Sequence, residues 1–188
     1  MRKAGSKDKN IVVNILTVSF INDPHLNWIL EQSKNRNKLK YTMEYIFEET
    51  LRKGEIYLSD DNTATALWNS EKEEKFSFHL ILRDLSFLFR IGIKTIIRIM
   101  TTEKLTHNQY PKNEEYYHLY LIGVLPEVQG KGLASSLMNP IIENMNIKSI
   151  PIYLETANPK NVEIYKKKGF IVFYTMQCGN TSLYFMRK

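Results

Sequence analysis

The sequence predicts one mixed α/β domain. The back half alternates strand-like and helix-like segments. The front half carries a hairpin signature between helical stretches. Between them, a strand passes through a proline turn into a glycine-bearing loop where a helix begins. The 188 residues, 43% hydrophobic and 24% charged, suit one domain with a single sizeable core.

Residues 1–4 can hold a very short strand. Ser6 or Asp8 then caps a helix running to about Ile21, with Ile11, Val12, Ile15, Leu16 and Phe20 near helical spacing. Asn22-Asp23-Pro24 should end it, because the residue before proline is pushed out of the helical region. A second helix is expected over 35–53, with an apolar stripe of Leu39, Met43, Ile46, Phe47 and Leu51 and Gly54 as the stop. Glu55–Ser59 and Thr63–Asn69 read as a hairpin around Asp60-Asp61-Asn62. Phe76–Phe89 reads as a helix on Phe78, Ile81, Leu82, Leu85 and Phe89. Gly92 interrupts it, and Ile93, Ile96, Ile97 and Met100 continue the period. Thr101–Asn113 reads as a polar loop. Tyr116–Val124 follows as a strand, then Gly132–Met145 as a helix that Pro140 should kink or split. Ile152–Glu155 is a strand and Asn161–Lys168 a short helix closed by Gly169. Phe170–Met176 and Ser182–Met186 are the last strands.

Composition narrows the function classes. The net charge of +6 comes from 26 basic against 20 acidic residues, scattered along the chain. That favours an anionic cofactor over a nucleic-acid interface, and no nucleic-acid partner is expected. Cys178 is the single cysteine, so neither an internal disulfide nor a cysteine-rich zinc site can form, and no metal is expected. The thiol reads as a strand-edge or turn residue. The start lacks the apolar stretch of a signal peptide, and charges interrupt the apolar region Leu80–Met100. The expectation is a cytoplasmic protein, monomeric or homodimeric, without a membrane partner.

The segment from Tyr120 to Ala134 carries the chemistry. Gly130 and Gly132 permit torsions and close approach that other residues block. Successive amides at a helix start can cradle an anion such as a pyrophosphate, and Lys131 can add a point charge. The spacing fits neither a P-loop nor the dinucleotide fingerprint. Taken alone, the loop leaves an anion cradle and a structural turn both open.

Gln129-Gly-Lys-Gly132-Leu-Ala134 resembles the Q/R-x-x-G-x-G/A pyrophosphate loop of the GNAT N-acetyltransferase superfamily. The strand Leu119–Val124 before Pro126 looks like that family's fourth strand, and Leu154-Glu155-Thr156 like its fifth. Asn158, Tyr165 and Gly169-Phe170 resemble its N-x-x-A-x-x-x-Y…G-F element, with Asn161 where alanine is common. The start of the chain resembles its first strand and helix. Within the superfamily, the back half looks most like puromycin N-acetyltransferase. The likeness covers roughly residues 116–188 well and the front half in outline.

The resemblance implies a central, mostly antiparallel sheet flanked by helices, with parallel fourth and fifth strands that splay to admit acetyl-CoA. It implies one domain over 1–188. An acceptor-side half, 1–113, carries a helical insert at 76–113, and an acetyl-CoA-binding half spans 114–188. It implies acetyl transfer by direct attack of an amine on the thioester, without an acyl-enzyme. The backbone of Ile122, Gly123 and Val124 would pair with the pantetheine arm. Gln129, Gly130, Lys131, Gly132, Leu133, Ala134 and Ser135 would hold the pyrophosphate, with Asn158 and Asn161 nearby. Tyr165 would touch the cofactor and protonate the leaving thiolate. A phenol's ordinary pKa, about 10, keeps it protonated at neutral pH.

The general base is open between His118 and Glu155. His118 shares strand parity with Tyr120, and Glu155 sits near the point where the strands should part. Phe20, Asp23, Trp28, Tyr57, Trp68 and Tyr120 are candidate walls of an acceptor pocket. A small primary amine is the expected acceptor. Protein or peptide acetylation and a non-catalytic acyl-CoA-binding module are the alternatives.

Overall fold

The computed structural model describes residues 1–31, 36–70, 86–112 and 114–188. The predicted helical residues 76–85 lie outside them. Among the described residues, no helix is long and apolar enough to cross a membrane.

A seven-stranded sheet organises the chain. Its strands are β1 (Arg2–Lys3), β2 (Gly54–Leu58), β3 (Ala64–Ser70), β4 (Tyr117–Val124), β5 (Ile152–Thr156), β6 (Ile171–Cys178) and β7 (Thr181–Arg187). The spatial order is β1-β2-β3-β4-β5-β7-β6, and every neighbouring pair is antiparallel except β4 with β5. The parallel pair matches at Tyr117↔Ile152, His118↔Tyr153 and Leu119↔Leu154 and then stops. β4 continues for five residues and β5 for two without pairing to each other, so a cleft opens between them.

The helices are α1 (Lys9–Ser19), α2 (Pro24–Ile29), α3 (Arg36–Lys53), α4 (Ile93–His107), α5 (Leu133–Lys148) and α6 (Pro159–Lys167), with residues 86–91 also helical. One face of the sheet carries α5 and α6. There Leu137, Met138, Ile141, Ile142 and Met145 pack on Ala64, Ala66, Trp68, Leu119 and Leu154. The other face carries α1 and α3, through Val12, Ile15, Leu16, Leu39, Met43 and Phe47. On that face an aromatic cluster also forms around Tyr110, Tyr116, Tyr153 and Phe185, and Trp28 touches both groups.

Several elements differ from expectation. Helix α1 ends at Ser19, with Phe20 as its C-cap. Val13 is buried while Ile11 is exposed, so the buried stripe is rotated by one position. Leu51 of α3 is likewise exposed. Asn22-Asp23-Pro24 lies beyond the end of α1 and instead starts α2. Asp23 Oδ1 accepts from the Leu26 amide at 2.8 Å, and Pro24 occupies the first helical position, where it has no hydrogen bond to lose.

The expected loop at 101–113 is helical as far as His107. Thr101 satisfies its hydroxyl on the Ile97 carbonyl, and Thr102 is buried, so polar residues here do not break the helix. Pro140 does not split α5. It lies on the exposed face, where water can meet the freed carbonyl, while the buried side holds the helix to the sheet.

Candidate active site

Strand β4 contains one extra residue relative to β3. Leu67 pairs with Leu121 and Trp68 with Leu119, which leaves Tyr120 as a bulge. Tyr120 and Leu121 therefore both pack toward α1 and α3, whereas Ile122 and Val124 pack toward α5. Gly123 lies directly under α1. A Cβ there would stand 3.1 Å from Ser19 Oγ and 3.3 Å from Leu16 Cδ2, so glycine permits the close approach.

The Leu125 amide donates to the Thr63 carbonyl at 3.0 Å, which turns Leu125 toward β3. By strand alternation, the backbone groups of Ile122 and Val124 face the opposite edge, where β5 has diverged. The Val124 carbonyl is occupied, accepting from Ser19 Oγ at 3.0 Å and Gln129 Nε2 at 3.1 Å. The Ile122 groups and the Val124 amide remain for an added extended ligand.

Beyond Pro126 the chain makes one short turn and reaches Gly130 and Gly132, at φ +80° and +82°. Both lie in the left-handed region that glycine tolerates, with open space where a Cβ would stand. Helix α5 starts at Leu133. Among the described residues, no protein acceptor receives the amides of Gly130, Lys131, Gly132, Leu133, Ala134 or Ser135. The loop is solvent-exposed up to Gly132, and Lys131 has no ion-pair partner among the described residues. Six successive unpaired amides at a helix start, beside a cation, suit a diphosphate. Gln129 contributes differently from expectation, since its side chain braces the turn onto Val124.

On the α1 face, at the apex of the cleft, His118 Nε2 and Glu155 Oε2 lie 2.8 Å apart. Burial pushes the Glu155 carboxyl up to about 8 and the His118 imidazole down to about 4. Both directions favour the uncharged forms, in which the carboxyl O–H can donate to the imidazole. Glu155 Oε1 is buried and finds no partner among the described residues.

Tyr165 sits on the other face, buried with the α5 core, its ring 5.9 Å from Phe170. Burial raises its phenol, and its hydroxyl bonds to no described residue. The local sequence explains its placement. Asn158 caps α6 by accepting from the Lys160 amide at 3.0 Å, and Gly169 at φ +87° lets the Phe170 amide return to the Tyr165 carbonyl at 3.1 Å. Asn161 lies 3.5 Å from Thr156 Oγ1, across the β5–α6 turn.

The candidate acceptor residues divide between the two faces. Tyr120, Phe20 and Trp28 share the His118 face. The Tyr120 ring is 5.7 Å from His118, and burial raises its phenol, with Glu103, Tyr45 and Glu49 adding to the effect. Trp28 walls a cavity of about 370 Å³, together with Ile97, Arg98, Thr101, Met176 and Cys178. Asp23 is engaged as the α2 cap, and burial raises its carboxyl. Trp68 is fully buried on the opposite face, stacked 5.4 Å from Tyr117. Tyr57, also on that face, donates to Glu55 at 2.7 Å. Cys178 is buried, and its thiol is raised by burial, which disfavours the thiolate a nucleophile needs. Sequence reasoning missed Tyr110, whose ring lies 5.4 Å from His118; the expected loop at 101–113 hid it.

Residues 96–172 match the family model described as Acetyltransferase (GNAT) domain. An uncharacterized N-acetyltransferase of Schizosaccharomyces pombe is 25% identical over 185 residues, covering 90% of this chain and 73% of that one. The spermidine N(1)-acetyltransferase of Vibrio cholerae is 24% identical over 160 residues, covering 83% and 79%. Among solved structures, a Corynebacterium glutamicum protein described as histone acetyltransferase HPA2 and related acetyltransferase superposes with a TM-score of 0.68 at 20% identity, covering 100% of this chain and 93% of that one. With the parallel pair parting over a row of amides that lack protein acceptors among the described residues, residues 96–172 match a GNAT acetyltransferase domain, the fold is that of the GNAT neighbours, and the chain is similar to N-acetyltransferases that use acetyl-CoA.

Proposed function

We propose that the protein transfers an acetyl group from acetyl-CoA to a primary amine of a small molecule by direct attack. The observation that carries this reading is the His118–Glu155 pair at the apex of the β4–β5 cleft, buried on the face opposite Tyr165. A proton acceptor and a proton donor then flank the point where the two reactants meet.

In this reading the amides Gly130–Ser135 and Lys131 hold the diphosphate, and Ile122 and Val124 hold the pantetheine arm as an added strand. The thioester is the acetyl donor. Asn158 and Asn161 shape the β5–α6 turn beside it. The amine nitrogen approaches from the α1 face, and its proton passes to the His118–Glu155 pair when the carboxyl is ionised. Tyr165 gives its phenolic proton to the departing sulfur, which its unpaired hydroxyl leaves it free to do. Tyr120, Phe20 and Trp28 line the acceptor side.

The relative named for spermidine acetylation agrees with a small amine. The test is an acetylation screen of an amine library with acetyl-CoA, read by mass spectrometry. Acetylated small amines are the expected result. Acetylation confined to peptides or protein lysines would replace the small-molecule reading, and CoA binding without any transfer would remove catalysis.

A further inference from the structure

Tyr110 stands in the connection between α4 and β4, only 7% exposed. Its ring lies 5.4 Å from the rings of Tyr116 and His118, 5.2 Å from Tyr153 and 6.2 Å from Phe185. Tyr153 precedes Glu155 by two residues on the same face of β5, and Phe185 is the register partner of Glu155 across β7. The ring therefore roofs the His118–Glu155 pair. Tyr120 flanks His118 at 5.7 Å. The titratable groups around the pair are thus Tyr110, Tyr116, Tyr120 and Tyr153, with Glu103 and Glu49 acting on Tyr120 from α4 and α3.

The hydroxyl of this roof is unexplained by packing. Tyr110 OH is buried with no hydrogen-bond partner among the described residues, and so is Glu155 Oε1. A phenylalanine would cover the pair equally well without leaving a buried donor and acceptor unmet. Two unmet polar atoms around one hydrogen-bonded acid–base pair match what an amine brings, several N–H donors on one nitrogen.

We propose that Tyr110 is a further acceptor-binding residue of this site: its ring keeps water from the His118–Glu155 pair, and its hydroxyl, with Glu155 Oε1, receives the N–H groups of the incoming amine. The proposal rests on the acetyl-transfer reading for the amine and on geometry alone for the roof, so the two are tested separately.

Tyr110→Phe keeps the ring and removes the hydroxyl. It should raise KM for the amine roughly three- to ten-fold, the range for one lost hydrogen bond, and leave KM for acetyl-CoA and the pH profile unchanged. An unchanged amine KM would overturn the hydroxyl's role. Tyr110→Ala removes the roof. NMR titration of the His118 ring, assigned with His118→Asn, should then show its midpoint move up from about 4 toward the ordinary 6.5, while Tyr110→Phe leaves it in place. A midpoint unmoved in Tyr110→Ala overturns the roof. Because the NMR arm needs no turnover, it decides the roof even where no amine is acetylated, which separates failure of this inference from failure of the proposed activity.

Discussion

Replacing Glu155 with glutamine should stabilise the protein while disabling it. Burial carries the carboxyl from its ordinary 4.5 to about 8. A folded-state pKa above the unfolded one means that the native protein binds the proton more tightly. The contribution of Glu155 is therefore fully present below pH 4.5 and is lost as pH rises through 8. At about 1.4 kcal/mol per pH unit, the loss reaches about 5 kcal/mol above pH 8 and about 3 kcal/mol at pH 7. Glutamine does not ionise, and its amide can donate to His118 Nε2 in place of the carboxyl O–H. The stability gap between Glu155→Gln and wild type should be near zero at pH 4.5 and widen steadily to pH 8, with the variant the more stable. His118 acts in the opposite sense in both proteins. Its depressed pKa gives stability above 6.5 that is lost as pH falls toward 4, and this largely cancels in the comparison. Urea denaturation followed by circular dichroism from pH 5 to 9 measures the gap. Acetyl transfer, which in wild type should rise with pH as Glu155 ionises through about 8, should fall by roughly 100-fold or more in the variant. A gap that stays constant from pH 5 to 9 would refute the reasoning, because it would mean Glu155 is ionised like an ordinary surface carboxylate.

Other perturbations give distinct outcomes. Tyr165→Phe removes a hydroxyl without a partner among the described residues; stability should change little, kcat should drop roughly 100-fold, and CoA affinity by calorimetry should hold. Gly132→Ala places a side chain at φ +82° in open space; thermal unfolding should show a loss of about 1 kcal/mol, and CoA binding should weaken as the amides reorient. Asn158→Ala removes the α6 cap, costing about 1 kcal/mol in chemical denaturation, with Tyr165 less well held and kcat reduced.

Where local chemistry decides structure, the sequence was readable. The hairpin around Asp60-Asp61-Asn62, the α3 end at Lys53, and the loop opening at Gly130 and Gly132 all follow from turn residues and periodicity. Short-range rules failed where one residue can serve two purposes. Asp23-Pro24, expected as a stop, starts α2 after α1 has already ended at Ser19. Pro140 breaks a helix when its neighbours depend on the lost bond, but its exposed side let α5 continue. Parity placed His118 and Tyr120 on one face correctly, yet the bulge at Tyr120 is a property of two strands and has no one-dimensional signature. For the same reason the 2.8 Å meeting of His118 with Glu155, 37 residues apart, and the covering ring of Tyr110 were visible only once β4 and β5 lay side by side.

The supernumerary residue in β4 works like a dislocation in a crystal row. Before it, odd and even positions face one way; after it, they have exchanged sides. Deleting Tyr120 would heal the ladder with β3 and leave Leu121 opposite Leu67, Ile122 opposite Ala66 and Gly123 opposite Thr65, each on its present face. Gly123 would keep its place beneath Ser19, and what would be lost is the Tyr120 ring that stands 5.7 Å from His118. The extra residue is therefore unnecessary to the ladder itself, and its effect is to give the α1 face two successive side chains, Tyr120 and Leu121.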